Sequence, residues 1–235
     1  MKLWVGTSGY SYKEWLGKFY PEGMSPKDML SFYAARFSAV EINNTFYRLP
    51  KESVLQSWVR QVPLEFRFVL KAPQSITHRK RLKDAGPEIE YLFRVASTLE
   101  HYGAAVLFQL PPNLKKDIER LQNFLALLPN DRAAAFEFRH PSWFDDDVSA
   151  CLRSRNCALC VADTDESESR DWTTTATWGY LRLRRSEYSD ADLLQWKQRI
   201  LAQSWDDAFI FFKHEDGARG PKFAAKFLDD SIKPD

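Results

Sequence analysis

The sequence lacks the features that mark membrane and secreted proteins. No apolar run is long enough to span a bilayer, and the opening MKLWVGTSGY is too short and too polar for a signal peptide. Only three cysteines occur in 235 residues, and an odd number argues against a disulfide scaffold. We therefore expect a cytoplasmic protein with no membrane partner.

An excess of one charge sign is also missing. The 33 Lys and Arg residues balance 32 Asp and Glu residues, which predicts no broad attraction to nucleic acid. Glycine is sparse, and the G-x-x-G of GTSGY lacks the rest of a nucleotide-binding fingerprint. What the chain does have is 44% hydrophobic and 14% aromatic residues, enough for a substantial core.

Two of the cysteines form a C-x-x-C motif, which can indicate a zinc or redox site. Cys157 and Cys160 lie in CALCVAD, a segment with the composition of a buried strand. Positions three apart on a strand face opposite sides, and a zinc site also needs a fourth ligand and a tight loop. We interpret these cysteines as core residues.

Short apolar strands alternate with amphipathic segments along the whole chain. This order predicts a (β/α)₈ TIM barrel in one domain over 1–235, whereas a doubly wound open sheet usually has fewer strands. The acidic segment TDESESRDWTTTA (164–176) lacks helical periodicity, so we expect a loop of unknown role in place of the sixth helix. Strands are expected at 3–8, 39–46, 66–72, 104–110, 133–139, 157–163, 177–184 and 208–214. Helices are expected at 26–37, 51–61, 87–101, 115–128, 145–155, 190–203 and 219–229.

The period-two alternation of the strands predicts which side chains enter the barrel. In AAAFEFR, Phe136 and Phe138 face the helices, so Glu137 and Arg139 point inward. Most of the charged residues assigned in this way end their strands, where barrel enzymes carry their chemistry. The predicted mouth is lined by Glu41, Lys71, Gln109, Glu137, Arg139, Asp163, Arg182 and Lys213.

Cations outnumber carboxylates in this predicted mouth, which favours a small phosphorylated or carboxylated ligand. The alternative is an internal ion-pair network that only fills the barrel. The candidates for catalysis by proton transfer are Glu137, Glu41, Asp163 and His140. The candidates for substrate binding are Lys71, Arg139, Arg182, Gln109, Asn43, Lys213, His214, Tyr10, Trp15 and Trp143.

Two of these assignments have an alternative interpretation. The aromatic residues could stack on a sugar or a base, or they could plug the top of the barrel. A metal centre could be assembled from Glu41, Glu137, Asp163, His140 and His214, but no H-x-H or H-E-x-x-H spacing supports it. Neighbouring cations would oppose a divalent ion, so we predict no cofactor and keep a divalent metal as the alternative.

Six segments, in this order, resemble the YecE-like family, which is catalogued as a domain of unknown function. They are GTSGYSYKEWLGKFYP, VEINNTFYRLP, FRFVLKAP, LFQLPP, AFEFRHPSW and GYLRLR. The resemblance implies a TIM barrel related to sugar-isomerase and endonuclease-like barrels. It also implies a polar pocket formed by Glu41, Asn43, Lys71, Gln109, Glu137, Arg139, Asp163 and Arg182.

The last strand departs from the family pattern. This chain has FFKHEDG where many relatives carry Phe-Asn-Asn, so Lys213 and His214 cannot take over an asparagine role. A family resemblance of this kind indicates a fold and does not name a reaction.

Three functions remain in competition. The first is an enzyme that acts on a small anionic substrate, with hydrolase, isomerase and lyase classes all open. The second is a metal-dependent phosphodiester hydrolase acting on nucleic acid, suggested by the barrel resemblance and the basic run HRKRLK (78–83). The third is a non-catalytic ligand-binding barrel. The oligomeric state is left open.

Overall fold

Parallel strands alternate with helices along the chain in the order expected of a barrel. The computed structural model describes residues 1–166, 172–213 and 216–229, and within them it contains nine strands and seven α-helices. The strands are β1 (Lys2–Ser8), β2 (Ala39–Ile42), β3 (Arg67–Lys71), β4 (Gly103–Gln109), β5 (Ala133–Glu137), β6 (Ala158–Leu159), β7 (Val161–Asp163), β8 (Trp178–Leu183) and β9 (Asp207–Phe212). The helices are α1 (Met29–Ala34), α2 (Glu52–Val59), α3 (Gly86–Ala96), α4 (Ile118–Ala126), α5 (Asp146–Arg153), α6 (Asp190–Leu201) and α7 (Arg219–Leu228).

The sheet closes on itself through a broken sixth strand. Its order is β6-β5-β4-β3-β2-β1-β9-β8-β7, so the two edge strands are consecutive in the chain and are separated only by Cys160. The amide of Cys160 donates to the Phe136 carbonyl on β5, and the amide of Arg184 donates to the Asp163 carbonyl, both at 2.8 Å. The predicted TIM barrel is therefore confirmed, with its sixth strand in two pieces.

Strand alternation divides the core into layers inside and outside the barrel. Val69, Leu107 and Phe211 belong to the inner cluster, while residues one position away, such as Phe68 and Phe212, pack under the helices. The same rule separates the two cysteines of the C-x-x-C motif. Cys157 packs in an outer cluster and Cys160 in the inner one, and both are buried free thiols.

Helix α6 shows why the segments between the strands are helical. Ser189 accepts a hydrogen bond from the Asp192 amide at 3.1 Å, and the Asp192 carboxylate accepts one from the Ser189 amide at 2.9 Å. This reciprocal capping box satisfies amides that a helix start otherwise leaves unbonded. Leu193 and Ile200 then turn one face into the core. No helix among the described residues combines the length and apolar composition needed to cross a bilayer.

The sixth crossover lacks helix in the parts that the structure describes. Residues 164–166 and 172–177 are turns and extended chain, in agreement with the predicted loop, and 167–171 lie outside the described residues. Leu159 and Val161, which face outward from the broken strand, line a cavity of about 1060 Å³ that also contacts α5 and α6. Trp172 stacks on Trp196 beside this cavity, with ring centroids 5.4 Å apart.

The second strand is shorter than the predicted 39–46. It ends at Ile42, and a 3₁₀ turn follows over Asn44–Phe46. The Thr45 hydroxyl lies 2.8 Å from the Ile42 carbonyl and 2.7 Å from the Lys71 carbonyl, close enough to donate to either. Asn and Thr side chains compete in this way with strand pairing, which explains the early end of β2.

We predict that Gly6→Ala will destabilise the barrel strongly. A Cβ at Gly6 would lie 1.8 Å from the Ala39 carbonyl oxygen, a backbone atom of the neighbouring strand that cannot move without breaking the sheet. The free energy of unfolding in urea should fall by about 3 kcal/mol or more.

Gly86→Ala is the matched control for this change. A Cβ there meets no atom within 4 Å, and Gly86 starts α3, so we expect a gain of about 0.5 kcal/mol from the less flexible unfolded chain. Equal stability of the two variants would contradict the close approach at Gly6.

Candidate functional site

Arg182 lies inside the barrel mouth and binds two carboxylates from strands that are adjacent neither to β8 nor to each other. One terminal nitrogen donates to Glu41 Oε1 on β2 at 2.9 Å, and the other donates to Glu137 Oε2 on β5 at 2.5 Å. All three side chains are at most 2% exposed. The three groups therefore form an ion-pair network that is removed from water.

The second oxygens of the two glutamates are also engaged. The Tyr180 hydroxyl donates to Glu41 Oε2 at 2.6 Å. Glu137 Oε1 accepts from Arg139 Nε at 3.2 Å, and it lies 3.8 Å from a terminal nitrogen of Arg184. Glu137 is thus shared by three guanidinium groups, whereas Glu41 is held by one guanidinium and one phenol.

This sharing determines the protonation state of Glu137. Burial acts to raise the pKa of its carboxyl, but the guanidiniums of Arg182, Arg184 and Arg139 outweigh burial and hold the pKa well below its usual range. Glu137 is therefore ionised at neutral pH and is a weak base. Its geometry suits it to orient guanidiniums more than to accept a proton.

Lys71 is the inward-facing cation at the end of β3, and its surroundings differ from those of the arginines. Its ammonium lies 4.3 Å from the centroid of the Phe46 ring, and within the described residues no carboxylate pairs with it. Burial and the nearby Arg182 lower its pKa to about 8, although Glu41 and Glu137 partly oppose this shift. At neutral pH a fraction of Lys71 is consequently an uncharged amine.

His78 shares the Phe46 ring with Lys71. The imidazole packs edge-on against Phe46, with centroids 4.9 Å apart, and its Nδ1 lies 2.9 Å from the Thr77 hydroxyl. Burial, followed by the charge of Lys71, lowers the pKa of His78. His78 lies in a π-helical turn over Ser75–Arg79, a rare geometry that is frequent at functional sites.

Besides the Nε of Arg182, three uncharged polar side chains near the network have atoms that are buried and lack a hydrogen-bond partner among the described residues. They are the Ser8 hydroxyl, the Asn43 amide oxygen and the Gln109 amide nitrogen. Strand register places Ser8 opposite Glu41 and Gln109 opposite Glu137. Unpaired buried polar atoms cost free energy, so donors and acceptors gathered here favour a bound solute or water.

Cations exceed carboxylates among the six charged groups that meet at the network. The groups whose positions define it are the cations Lys71, Arg139, Arg182 and Arg184, and the carboxylates Glu41 and Glu137. Four cations against two carboxylates leave an excess of two positive charges when Lys71 is protonated. Arg139, about a third exposed, is the guanidinium of this group that a solute reaches most directly.

Asp163 does not enter the barrel as the sequence suggested. It has the same parity as Leu159 and Val161, which pack in the outer clusters. Its carboxylate accepts from the Tyr188 hydroxyl at 2.8 Å and pairs with Arg185 at 3.1 Å. Both faces of this strand are apolar, so alternation determines its orientation less firmly than in β2 or β5, and Asp163 belongs to the rim.

His140 caps the turn that follows β5. Its Nδ1 accepts from the Ser142 amide at 3.2 Å and lies 2.8 Å from the Ser142 hydroxyl, at the start of the 3₁₀ turn Pro141–Trp143. This local role accounts for a histidine after β5. The geometry gives no support to His140 as a catalytic group.

The aromatic residues expected to line the mouth pack into the core instead. Trp15 is 1% exposed among the rings that surround α1, where the partly buried Tyr10 also packs. Trp143 is 1% exposed, lies parallel to Phe138 with centroids 4.6 Å apart, and donates to the Leu114 carbonyl. Neither tryptophan can reach a ligand, so we remove both from the candidate site.

The two candidates that follow the last strand are Lys213 and His214. Lys213 follows β9, continues the inward alternation of Phe209 and Phe211, and is half-buried. His214 lies outside the described residues. Within the described residues, no group of three or more His, Cys, Asp and Glu side chains is arranged to hold a metal ion.

Sequence reasoning missed His78 and the pairing role of Tyr180. His78 opens a run of basic residues that has the composition of a solvated loop, and no periodic signal marks a π-helical turn. The bond of Tyr180 to Glu41 spans 139 positions of the chain, so no local sequence pattern indicates it.

The closed parallel barrel makes this molecule a TIM-barrel protein. Its buried ion-pair network lies inside the barrel mouth. Residues 4–233 match the family model described as "Protein of unknown function DUF72". The chain belongs to this family, and the resemblance to YecE-like proteins is confirmed by curated relatives.

Two curated relatives carry names without an assigned activity. The UPF0759 protein YunF of Bacillus subtilis is 24% identical over 256 aligned positions, covering 92% of this chain and 89% of the relative. The UPF0759 protein YecE of Escherichia coli K12 is 31% identical over 144 positions, covering 60% of this chain and 50% of the relative.

Solved structures of the family share the fold. A DUF72 family protein from Thermotoga maritima superposes with a TM-score of 0.85 at 27% identity, covering 97% of this chain and 98% of that one. A second DUF72 family protein, from Enterococcus faecalis, gives a TM-score of 0.78 at 18% identity, covering 99% and 98%. At the latter identity the likeness concerns the fold alone.

We predict that Arg182→Met will destabilise the protein by about 3–5 kcal/mol near pH 7.5, because it leaves two buried carboxylates without their common cation. In the wild type, Glu137 has a pKa below its unfolded value of 4.5, so its stabilising contribution is present above that pH and is lost as pH falls through the folded value.

The pH dependence of the variant should run the other way. Without Arg182, the buried carboxylates bind protons more readily in the folded state, so the cost of the substitution should shrink as the pH is lowered to about 5. Urea unfolding at the two pH values measures this. Adding Glu41→Gln should recover part of the loss at neutral pH, and strict additivity of the two changes would argue against a direct pair.

Proposed function

We propose that this barrel is an enzyme that binds a small phosphorylated or carboxylated molecule in its cationic mouth and acts on it by acid/base chemistry. One observation carries the proposal: four cations surround two carboxylates at the ends of the strands. A bound phosphate or carboxylate would neutralise the excess positive charge and would pair with the planar guanidinium of Arg139.

The unpaired polar atoms support the same location. The Gln109 amide nitrogen can donate to an anionic oxygen, while the Asn43 amide oxygen can accept from a substrate hydroxyl. Gln109 ends β4 opposite Glu137, and Asn43 directly follows β2, the strand that carries Glu41. A filled ion-pair network without a ligand would leave these atoms unsatisfied at a cost in stability.

The proton carriers in this proposal are the groups that titrate near neutral pH. Lys71, with a pKa of about 8, meets that requirement, and His78, whose pKa is lowered by burial, is the imidazole beside it that can accept a proton; both contact Phe46. Glu137 and Glu41, the first candidates from the sequence, are assigned a positioning role because each is bound to Arg182. Arg182 in turn fixes the floor of the pocket.

A ligand-binding protein without catalysis is the main alternative. It would hold a metabolite tightly and release it unchanged. Mass spectrometry of small molecules released from the purified protein, before and after incubation with anionic metabolites, separates the two roles. Conversion of a bound anion supports the enzyme, and release of the intact ligand alone supports the binder.

We predict that inorganic phosphate will bind the wild type and that Arg139→Gln will raise its dissociation constant roughly tenfold or more, because a charge-assisted contact is lost. Isothermal titration calorimetry measures the affinity. The Arg139 side chain is partly exposed, so the variant should fold normally.

Arg67→Gln is the control for nonspecific loss of positive charge. Arg67 begins β3 at the opposite end of the barrel and lies 4.7 Å from the Trp4 ring, so its loss should leave phosphate affinity unchanged. If both variants weaken binding equally, or if the wild type binds neither phosphate nor small carboxylates, the anion site is refuted.

We predict that His78→Gln will lower the turnover of any substrate found by screening at least about a hundredfold, with phosphate affinity nearly unchanged. The amide keeps a polar group beside Phe46 but cannot carry a proton at neutral pH. Unchanged turnover would exclude His78 as a proton carrier, and an equal loss of phosphate affinity would indicate a structural role.

A further inference from the structure

Lys71 is set apart from the other cations of the mouth by its contacts. Arg182 and Arg139 each bind a carboxylate, whereas the contact recorded for the Lys71 ammonium in the described residues is the face of Phe46. An aromatic ring attracts the cation but does not accept a strong hydrogen bond from it. The amine is therefore half-buried, held in position, and not committed to an acidic partner.

Charged groups on four elements decide how readily this amine loses its proton. Arg182 on β8 and Arg139 after β5 disfavour the ammonium form, while Glu41 on β2 and Glu137 on β5 favour it. Both carboxylates are already bound to Arg182, so they offset the burial of Lys71 only in part. The resulting pKa of about 8 leaves roughly a tenth of the side chain uncharged at neutral pH.

We propose that Lys71 is a catalytic nucleophile that forms an imine with the carbonyl carbon of an anionic aldehyde, ketone or oxo-acid held in the barrel mouth. The inference rests on the proposed function, because the cationic mouth must first bind the anionic group of the same molecule. It narrows the substrate class to anions that carry a reactive carbonyl.

The step balances without a further reactant. The lone pair of the neutral amine forms a bond to the carbonyl carbon, and the C=O π pair moves to oxygen; one proton leaves the nitrogen and one reaches the oxygen to give a neutral carbinolamine. The hydroxyl then takes up a second proton and leaves as water while the nitrogen lone pair forms the C=N bond and the nitrogen loses its remaining proton, so the two amine protons leave in the water. His78, on the edge of the same Phe46 ring, is placed to carry protons in these transfers.

The other residues of the mouth fit this assignment. Arg139 would hold the phosphate or carboxylate group of the substrate, and the Gln109 amide nitrogen is a free donor for an oxygen near the reacting carbon. Both terminal nitrogens of Arg182 are bound to Glu41 and Glu137, so its positive charge favours the neutral amine of Lys71 while those nitrogens stay on the carboxylates. Lys71 thus has the surroundings of a nucleophile, and Arg139 those of an anion-binding group.

Pyridoxal 5′-phosphate is a suitable probe because it joins an aldehyde to a phosphate and changes its absorption when it forms an imine. The wild-type protein is incubated with the probe near neutral pH, reduced with borohydride, digested, and mapped by mass spectrometry. We expect Lys71 to be labelled at least about tenfold faster than the exposed Lys83, with a rate that rises with pH through about 8. Inorganic phosphate should slow the labelling of Lys71 and leave that of Lys83 unchanged.

Two variants complete the test. Lys71→Arg keeps the positive charge but has no amine, so it should lose the fast label while still binding phosphate, and Lys83→Arg should behave as the wild type. Labelling of Lys71 no faster than that of Lys83, in a protein that does bind phosphate, would overturn the imine and leave the anion site intact. A wild type that does not bind phosphate would refute the anion site and the imine together.

Discussion

Arg182 joins two carboxylates that come from separate walls of the barrel, and the positions of the other charged groups follow from that contact. Glu41 and Glu137 are both fully buried, so each needs a paired cation, and Arg182 is the cation that they share. A buried ion pair of this kind contributes little net stability compared with an apolar core. Its effect is instead to fix which side chains are held in place and which stay available for a solute.

The side chains of the mouth have different roles because three guanidiniums share the carboxylate of Glu137. One carboxylate draws three guanidiniums toward a single point, so their charges are only partly compensated. Lys71 then lies beside a concentration of positive charge without an acidic partner of its own among the described residues. The same arrangement that favours an anion therefore also favours an uncharged amine, and the two properties are not independent.

The barrel and most of the inner face could be predicted from the sequence, because a period of two separates polar from apolar residues in β2, β5 and β8. Glu41, Glu137 and Arg182 were identified in this way. Asp163 was misplaced because both faces of its strand are apolar, so alternation does not indicate which face points into the barrel. Trp15 and Trp143 were misassigned because an aromatic residue near a loop has the same composition whether it lines a pocket or fills a core, and burial alone distinguishes the two.

The broken sixth strand leaves a line in the barrel wall that few backbone hydrogen bonds hold together. β6 contributes two residues to the sheet and pairs with β5, while β7 contributes three and pairs with β8, so few backbone hydrogen bonds hold the cylinder shut there. Ladders elsewhere reach six residues, as between β1 and β9 and between β8 and β9. Local opening of the sheet should start at Cys160. Amide hydrogens of β6 and β7 should therefore exchange with solvent before those of the strands with six-residue ladders.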